Sequence, residues 1–205
     1  MTVKLVWATP KGEELIAYMA RVSNPSNQDN PETAPKLLQY LMKNKHWSPF
    51  EMVNVCMEIK CTRDIGRQIL RHRSFSFQEF SQRYAEALDW ELGEARLQDK
   101  KNRQNSLPTQ DRELERWWQE EQQKVVAQAR HAYGAALNNG IAKEVARKVL
   151  PEGLTMSAMY MNGTLRSWMH YVDIRCDEAT QKEHRGIAVQ CRNVLAKEFP
   201  SLFKE

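Results

Sequence analysis

Helical and strand patterns follow one another along this chain in an uneven order, and that order limits the folds open to it. Helical patterns outnumber strand patterns, and the strand patterns cover about residues 2–8, 50–61 and 154–163, with 75–83 as a further candidate. Helical insertions of such uneven length favour a mixed arrangement over a doubly wound parallel sheet. We therefore expect an α+β fold, in which helices flank a central, mostly antiparallel sheet within a single domain spanning residues 1–205.

The helical patterns are bounded by start and stop signals. Thr62 is an expected N-cap, Pro151 ends one helix, and Gly140 follows the longest. That longest helix is expected to bury a stripe made of Leu114, Trp117, Trp118, Val125, Ala129, Ala132 and Ala136. Residues 91–110 are poor in apolar side chains and are expected to form a loop or an excursion over the surface. The predicted helices are 12–23, 34–45, 62–72, 111–139, 142–150, 164–174 and 178–199.

Charge and cysteine content narrow the class of protein. The formal net charge of +4 suits anionic small molecules and is weak support for nucleic-acid binding. Cys56, Cys61, Cys176 and Cys191 lack metal-ligand spacing, so we expect no metal site and reduced thiols in a cytoplasmic protein. No apolar stretch has the length that crosses a bilayer, which favours a soluble protein. No glycine-rich phosphate loop occurs either, so any dinucleotide must be held in another way.

Four arginines, Arg63, Arg67, Arg71 and Arg73, lie within eleven residues. Steps of four residues place the first three on one helix face, where like charges destabilise a bare helix. One interpretation is a solvated face whose carboxylate partners lie elsewhere in the chain. The other is an anion cradle, because arginine forks bind phosphate in bidentate fashion and Gln68 lies among them.

The segment 75–83 mixes aromatic and polar side chains. If it is extended, one side carries Phe75, Phe77, Glu79, Ser81 and Arg83. Such a face fits either a pocket for a flat ring with a phosphate, or an edge strand whose charges pair across the sheet. No general base lies beside Ser81 in the sequence, so this serine is expected to bind a ligand rather than act as a nucleophile.

Other polar positions cluster around predicted turns and helix ends. Arg166, His170 and Asp173 share one face of a predicted helix, with Arg175 at its end. His72 lies between two arginines and is expected to be neutral, so that it stacks or donates and accepts hydrogen bonds. In "HWSPFE" at 46–51, the histidine and the serine could be turn formers or ligands, and the turn interpretation is preferred.

Several motifs occur together and in a shared order. "RHR" at 71–73 is followed by seven residues and Ser81, with Glu79 inside and "RY" at 83–84. This pattern resembles the signature of the flavin-dependent thymidylate synthases. Further similar motifs are "ARVS" at 20–23, "HWSPFE" at 46–51, "RQILRHR" at 67–73, "ARKVLP" at 146–151 and "LRSWMHYVDIR" at 165–175.

The resemblance implies a homotetrameric methyltransferase whose active sites are assembled from several subunits. Its substrates would be dUMP, NADPH and methylenetetrahydrofolate, and its cofactor would be FAD. NADPH would reduce the flavin, the folate would give a methylene carbon, and the reduced flavin would deliver the hydride that completes dTMP. No cysteine would attack the pyrimidine, which agrees with the lack of an obviously activated thiol.

Carried over position by position, the resemblance implies a catalytic Arg175, which would polarise the uracil ring by favouring ionisation at N3. The dUMP site would comprise Gln68, Ile69, Leu70, Arg71, Glu79, Phe80, Ser81, Gln82, Arg83, Arg147 and Arg175. The FAD site would comprise Ser23, His46, Ser48, Arg71, His72, Arg73, Glu79, Thr164, Arg166 and His170. The positions that depart from the family's usual residues are Gln78, Thr164, His170 and Ala179.

Two other functions fit parts of the same sequence. A nucleic-acid-binding module would use the arginine-rich helix for phosphates and the phenylalanines for base stacking. It would bind with a steep salt dependence and carry no chromophore. An inactive relative would keep the fold as a tetrameric scaffold and bind FAD weakly or not at all.

Overall fold

The computed structural model describes residues 1–86 and 89–203, and its mixture of helices and strands confirms the α+β prediction. The strands are β1 (Thr2–Ala8), β2 (Asn54–Thr62), β3 (Phe75–Glu79), β4 (Arg96–Gln98), β5 (Ser106–Pro108) and β6 (Met156–Thr164). The α-helices are α1 (Gly12–Ala20), α2 (Ala34–Lys43), α3 (Arg63–Ile69), α4 (Arg112–Asn138), α5 (Lys143–Ala146), α6 (Leu165–Arg175) and α7 (Lys182–Glu198). Short 3-10 helices cover Pro25–Asn27, Ser48–Met52 and Arg147–Val149.

Four strands form the main sheet, in the order β1-β2-β6-β3. Backbone bonds at the two ends of the β2 and β6 pair show that these strands are antiparallel. Arg63 N donates to Thr155 O at 3.0 Å, and Leu165 N donates to Val53 O at 2.7 Å. The central strands therefore agree with the predicted antiparallel sheet.

Strands β4 and β5 form a separate antiparallel pair, with Leu97 opposite Leu107. They lie within the segment 91–110, so the prediction of a loop is wrong for these residues. Their mostly exposed positions agree with the alternative, an excursion over the surface. The turn between them is held by a polar side chain rather than by apolar packing. Asp99 Oδ1 accepts from Lys101 N at 2.8 Å and from Asn102 N at 3.2 Å. A search for apolar alternation gives no signal for a hairpin of this kind.

Several predicted boundaries differ from the observed ones by a few residues. Strand β2 begins at Asn54 rather than near Phe50, because Ser48–Met52 forms a 3-10 helix with Pro49 in its first turn. Helix α1 ends at Ala20, before the predicted end at Ser23, because a turn follows. Such shifts are typical of element ends, where local turn chemistry competes with the periodic pattern.

The chain divides into two compact units. Unit 1 comprises Met1, Lys60–Arg71 and Glu79–Met159, and unit 2 comprises Thr2–Ile59, His72–Gln78 and Tyr160–Glu205. The single domain that we predicted over residues 1–205 stays a prediction.

In unit 2, Phe75, Trp168 and Tyr171 form a buried aromatic cluster. The Phe75 and Trp168 ring centroids are 4.8 Å apart, and those of Trp168 and Tyr171 are 5.8 Å apart, both pairs edge to face. The Trp168 indole donates to Val55 O at 3.0 Å, which satisfies its buried N–H. A Cβ added at Gly163 would lie 2.4 Å from Phe75 Cδ1, so glycine is needed for Phe75 to pack there.

In unit 1, helix α4 buries a different set of residues from the predicted stripe. Trp117, Trp118 and Val125 are exposed, so the prediction is wrong for them, whereas Ala129 is buried as predicted. The buried polar residue is Gln122, whose amide exchanges bonds of 2.6 and 2.9 Å with the backbone of Gly93. This face of α4 thus covers a polar loop, which an apolar stripe could not reveal.

No helix of the described residues combines the length and apolar character that a bilayer crossing requires.

Candidate active site

The "RHR" motif lies in the turn that joins α3 to β3. Helix α3 ends at Ile69, and Arg71 N donates to Gln68 O at 3.3 Å as the chain leaves it. Arg71 and Arg73 are exposed, and His72 is half-buried. Arg71 therefore follows the helix instead of continuing the face of Arg63 and Arg67, which corrects the predicted row of three guanidinium groups.

Both arginines on α3 itself have carboxylate partners within unit 1. Arg63 Nη1 lies 3.4 Å from Glu79 Oε1, and Arg67 bonds to Glu152. The interpretation of a solvated face with carboxylate partners elsewhere in the chain is confirmed for Arg67, whose side chain is 63% exposed. Arg63 has the expected carboxylate partner, but its side chain is only 16% exposed, so it is not solvated. The anion cradle, if one forms, must use other arginines.

Glu79, at the end of β3, is held from two sides. Its Oε1 accepts from Arg63 Nη1 at 3.4 Å and from Ser157 Oγ at 3.0 Å. Ser157 is buried, so its hydroxyl depends on this carboxylate for a partner. One carboxylate oxygen is thus fixed by protein groups, and the orientation of the other follows from it.

The strand-like alternation holds as far as Glu79 and then stops. Phe75 is buried, and Phe77 and Glu79 are half-buried, as one face of an extended strand requires. After β3 the chain turns, and Tyr84 N donates to Ser81 O at 3.1 Å. The prediction that Ser81 continues this face is therefore wrong.

The turn after β3 contains four of the predicted dUMP residues, namely Phe80, Ser81, Gln82 and Arg83. Phe80 N donates to Ala158 O at 2.8 Å, which fixes the start of the turn. Ser81 Oγ accepts from Arg83 N at 3.3 Å. Gln82 is buried, and its Nε2 has no hydrogen-bond partner within the described part of the chain. A buried amide donor of this kind is costly unless a ligand pairs with it.

Arg83 and Arg147 are brought together by one residue, Glu144. Arg83 Nε lies 3.4 Å from Glu144 Oε2, and Arg147 Nε donates to Glu144 O at 3.3 Å. Each contact uses Nε and leaves the terminal guanidinium nitrogens outside it. Two adjacent guanidinium groups can bind an oxyanion such as phosphate.

The segment before the motif has mixed exposure. Ile69 is fully buried, so any contact of Ile69 with a ligand must come from its backbone. Gln68 and Leu70 are half-buried, and their side chains are partly accessible.

In unit 2, Arg175 and His72 are in direct contact. Arg175 is the last residue of α6, and its Nε donates to His72 Nε2 at 3.0 Å. Because a guanidinium only donates, His72 Nε2 must carry a lone pair and no proton. The bond fixes the guanidinium plane through Nε and leaves the two terminal nitrogens for other partners.

His72 packs against a second, fully buried polar pair. The Tyr171 ring lies edge-on to His72 at 4.9 Å, and the Tyr171 hydroxyl lies 3.1 Å from His184 Nε2. The pKa of His184 is lowered to about 4, chiefly by burial and further by the positive charge of Arg175 and by His72. His184 is therefore neutral at neutral pH.

A cavity of about 950 Å³ in unit 2 is lined by residues of α6 and of the 3-10 helix Ser48–Met52. Arg166 and His170, both predicted FAD residues, lie on its wall together with Trp47 and Ser74. Arg166 bonds to Glu51, which also lines the cavity. Asp173 lies on the same wall, so the helix face predicted to carry Arg166, His170 and Asp173 is confirmed.

The remaining predicted FAD residues of unit 2 lie outside the described lining of this cavity. Ser23 is exposed in the turn after α1, and Ser48 is exposed at the start of a 3-10 helix. His46 packs its ring against Tyr40 at 6.0 Å. Thr164 is the N-cap of α6, where its side chain accepts from Ser167 N at 3.3 Å. Its position is thus explained by helix capping whether or not it binds a ligand.

The sequence did not identify several residues that hold the predicted ones in place, namely Glu51, Glu144, Ser157, Tyr171 and His184. Glu144 lies one helical turn before Arg147, so helix spacing could have indicated it. Contacts between residues that are distant in the chain, such as Ser157 and Glu79, produce no local pattern in the sequence.

The thiols are unsuited to nucleophilic attack. All four cysteines are free, and Cys176 alone among them is only partly buried. Burial raises the pKa of each thiol, and that of Cys61 to about 12 with the help of nearby Asp64. A thiol with a raised pKa supplies little thiolate at neutral pH.

Comparison with known proteins assigns this geometry to a family. A family model described as "Thymidylate synthase complementing protein" matches residues 4–201. A probable flavin-dependent thymidylate synthase of Paramecium bursaria Chlorella virus 1 is 49% identical over 205 residues, which is 100% of this chain and 94% of the viral one. A flavin-dependent thymidylate synthase of Synechocystis is 53% identical over 190 residues, covering 93% of this chain and 87% of that one.

Solved structures give the same result. The UMP/dUMP methylase PolB from Streptomyces cacaoi, bound with 5-Br dUMP, superposes with a TM-score of 0.84 at 26% identity. The superposition covers 99% of this chain and 93% of PolB. The likeness therefore extends along nearly the whole chain.

Proposed function

The chain belongs to the family of flavin-dependent thymidylate synthases, and from that membership we propose how its own residues serve the methylation of dUMP. The protein is an enzyme, a methyltransferase that converts dUMP to dTMP with FAD as cofactor. The observation that carries this conclusion is the 49% identity to a family member across the whole chain. The "RHR" motif, with Ser81 eight residues beyond it, is present in full.

The dUMP site is proposed to use the turn after β3 and the segment before the "RHR" motif. Arg83 and Arg147 would hold the phosphate, because both contact Glu144 and keep their terminal nitrogens outside those contacts. The buried Gln82 Nε2, which has no partner among the described residues, would donate to the nucleotide. The other proposed dUMP residues are Gln68, Ile69, Leu70, Arg71, Glu79, Phe80, Ser81 and Arg175.

Arg175 is proposed as the catalytic residue. With Nε bound to His72, its two terminal nitrogens would face the pyrimidine and stabilise negative charge as N3 loses its proton. A fixed cation in a partly buried position does this better than water, because it needs no reorganisation during the reaction. A ring that lacks the N3 proton is a better carbon nucleophile, so no activated thiol is required.

The residues of unit 2 fit a flavin cofactor. The cavity of about 950 Å³ offers Arg166 and His170 as donors and the Trp47 indole as an apolar wall. Near Thr164 in the chain, the buried Asn162 Oδ1 has no partner among the described residues. The proposed FAD residues are Ser23, His46, Ser48, Arg71, His72, Arg73, Glu79, Thr164, Arg166 and His170. When bound, the reduced flavin supplies the hydride that completes the methyl group.

We further propose NADPH as the reductant, methylenetetrahydrofolate as the carbon donor, and a homotetramer as the active form. The exposed Trp117, Trp118 and Val125 on α4 support an oligomer, since large apolar side chains grouped on a surface favour association. A cytoplasmic location is proposed from the four free thiols.

The test is a dTMP assay by chromatography with purified protein, dUMP, FAD, NADPH and methylenetetrahydrofolate. Bound flavin is first removed from the protein, and we then expect dTMP only when all components are present, with each omission removing the product. Product formation without FAD, or none in the complete mixture, would overturn the proposal.

A further inference from the structure

Tyr171 and His184 form a buried hydrogen-bonded pair to which the mechanism above gives no role. Both side chains are fully buried, and the Tyr171 hydroxyl lies 3.1 Å from His184 Nε2. Burial of polar groups is unfavourable unless they are paired, and a phenylalanine with an aliphatic neighbour would fill the space without that cost. The pair therefore calls for an explanation beyond packing.

The pair lies against the imidazole that holds Arg175. The rings of His72 and Tyr171 meet edge to face at 4.9 Å, and those of His72 and His184 lie 6.3 Å apart at 87°. Phe75 packs on His72 at 6.5 Å, also edge-on. The His72 ring is thus confined by buried aromatic groups, while its Nε2 accepts from Arg175 Nε at 3.0 Å.

The charge of the pair suits a site that depends on Arg175. A protonated His184 would add a positive charge close to the guanidinium in buried surroundings. Burial, together with Arg175 and His72, lowers the pKa of His184 to about 4, which keeps the imidazole neutral. The hydrogen bond to Tyr171 then persists over the whole range of neutral pH.

We propose that Tyr171 and His184 are positioning residues for Arg175. Together they hold the His72 ring at the angle at which Nε2 accepts from Arg175 Nε, so that the terminal nitrogens of Arg175 point to the pyrimidine. This inference rests on the proposed role of Arg175 in dUMP methylation. It adds two residues that do not touch the substrate but determine the orientation of the Arg175 guanidinium.

The test uses the FAD-loaded enzyme and compares Tyr171→Phe, His184→Leu and His184→Gln. Steady-state kinetics give kcat and the KM for dUMP. Ultraviolet difference spectra recorded without reductant give the N3 pKa of bound dUMP. Trp168→Phe is the control, because it also removes a buried hydrogen bond in the same aromatic cluster, from the indole to Val55 O at 3.0 Å. Thermal unfolding of each variant shows which ones are folded.

We expect Tyr171→Phe to lower kcat about tenfold and to raise the N3 pKa of bound dUMP, while KM changes much less. His184→Leu should act in the same direction, and His184→Gln should recover part of the loss, because its amide can replace the Nε2 contact. Trp168→Phe should lower the melting temperature without changing the N3 pKa.

Wild-type kcat and N3 pKa in folded Tyr171→Phe would overturn the positioning role, as would an equal change of both in Trp168→Phe. A wild-type enzyme that forms no dTMP would overturn the proposed function instead. The two failures are therefore distinguishable.

Discussion

Arg63 and Arg175 carry the same charge, but their neighbours leave them different chemistry. Arg63 lies 3.4 Å from the Glu79 carboxylate, whereas Arg175 donates to the unprotonated Nε2 of His72 at 3.0 Å. The Arg63 side chain is only 16% exposed and gives a terminal nitrogen, Nη1, to that carboxylate. Arg175 makes its contact through Nε, which leaves its terminal nitrogens outside the contact and able to bind a ligand. For this reason we propose the electrostatic role in catalysis for Arg175 rather than for Arg63.

Arg175→Ala should reduce dTMP turnover by about 10²- to 10³-fold, the usual cost of removing one preorganised electrostatic group. FAD content and folding should stay near wild type, because Arg175 is only partly buried at a helix end. Turnover with saturating dUMP and the flavin absorbance of the same preparation check both statements. Arg130→Ala, on the exposed face of α4, is the matched control. Equal turnover in Arg175→Ala and wild type would contradict the assignment.

The buried His184 makes the free energy of unfolding depend on pH. Its pKa is about 4 when folded, against the ordinary value of 6.5, so the unfolded chain binds the proton more readily between these values. The stabilisation from neutral His184 is complete above about pH 6.5 and falls by roughly 3 kcal/mol as the pH drops to about 4. Urea unfolding of wild type and His184→Gln at several pH values measures this. The difference in free energy of unfolding between wild type and His184→Gln should become smaller as the pH falls. A difference that stays constant with pH would contradict the lowered pKa of His184.

At this scale the sequence predicted where the candidate residues lie on helices and strands better than it predicted which residues they contact. The helix stop after Arg175 indicated a guanidinium at a helix end, and that residue is indeed the last of α6. The contact of Arg83 with Glu144, or of Glu79 with Ser157, joins residues that only the folded chain brings together. Such pairs depend on tertiary packing and have no periodic signal.

Among the elements, α6 combines a side-chain cap at its start with several of the residues that we propose for FAD binding. Its N-cap Thr164 accepts from Ser167 N, and its last residue is Arg175. Between them, the helix contributes Arg166 and His170 to the wall of the cavity. The capping bond thus fixes the start of the helix that carries these groups.

Thr164→Ala should lower the free energy of unfolding by about 1 kcal/mol, the usual cost of losing an N-cap, and should weaken FAD retention. Asp111→Ala is the comparison, because Asp111 caps α4 by accepting from Glu113 N and Leu114 N at 3.0 Å. Asp111→Ala should lower the free energy of unfolding by a similar amount and leave FAD retention unchanged. Urea unfolding and the flavin retained after desalting are measured for both. Equal loss of flavin in the two variants would contradict a binding role for Thr164.

Two glycine substitutions should change stability in opposite directions. Gly163→Ala places a Cβ 2.4 Å from Phe75 Cδ1, so the aromatic cluster must shift at a cost of about 1–3 kcal/mol. Gly134→Ala on α4 meets no described atom within 4 Å and should stabilise the helix by roughly 0.5–1 kcal/mol. Melting temperatures measured side by side would test this. A Gly163→Ala protein as stable as wild type would show that Phe75 packs more loosely than described.

For elements, the sequence was most informative where one periodic pattern controlled the structure. Helix α4 was predicted over 111–139 and is observed over Arg112–Asn138 with Asp111 as its cap. Its inner stripe was predicted wrongly, because periodicity does not say whether a helix faces an apolar core or, as at Gln122, a polar loop. The hairpin of β4 and β5 was missed because Asp99, not an apolar run, stabilises its turn.

At the scale of the whole molecule, the exposed apolar surface is more informative than the net charge of +4. Trp117 is 54% exposed and Val125 is 50% exposed on the same long helix, where they expose apolar surface to solvent. A partner subunit that covers this surface of α4 would remove it from water. The tetramer that we propose gives such a partner.

Light scattering after size-exclusion chromatography should give about 96 kDa, which is four times the chain mass of 24.0 kDa. Replacing Trp117 and Trp118 together by glutamate should lower that mass, because charges in an apolar interface are unfavourable. A wild-type mass near that of one chain would contradict the tetramer.

The overall fold class was predictable because helical segments of uneven length between the strands favour an α+β fold over a doubly wound sheet. The observed strand order β1-β2-β6-β3 agrees with that argument. The oligomeric state was not predictable from periodicity. An apolar stripe has the same helical spacing whether it packs in the core of one chain or lies exposed on its surface. Trp117 and Trp118 illustrate this, as both were expected in a core.

The most direct test of a flavin-dependent thymidylate synthase is the visible absorption spectrum of the purified protein after incubation with FAD and desalting. The spectrum is recorded before and after anaerobic addition of NADPH with dUMP. We predict a flavin band that survives desalting and bleaches after the addition. A protein that leaves the column colourless would contradict the account.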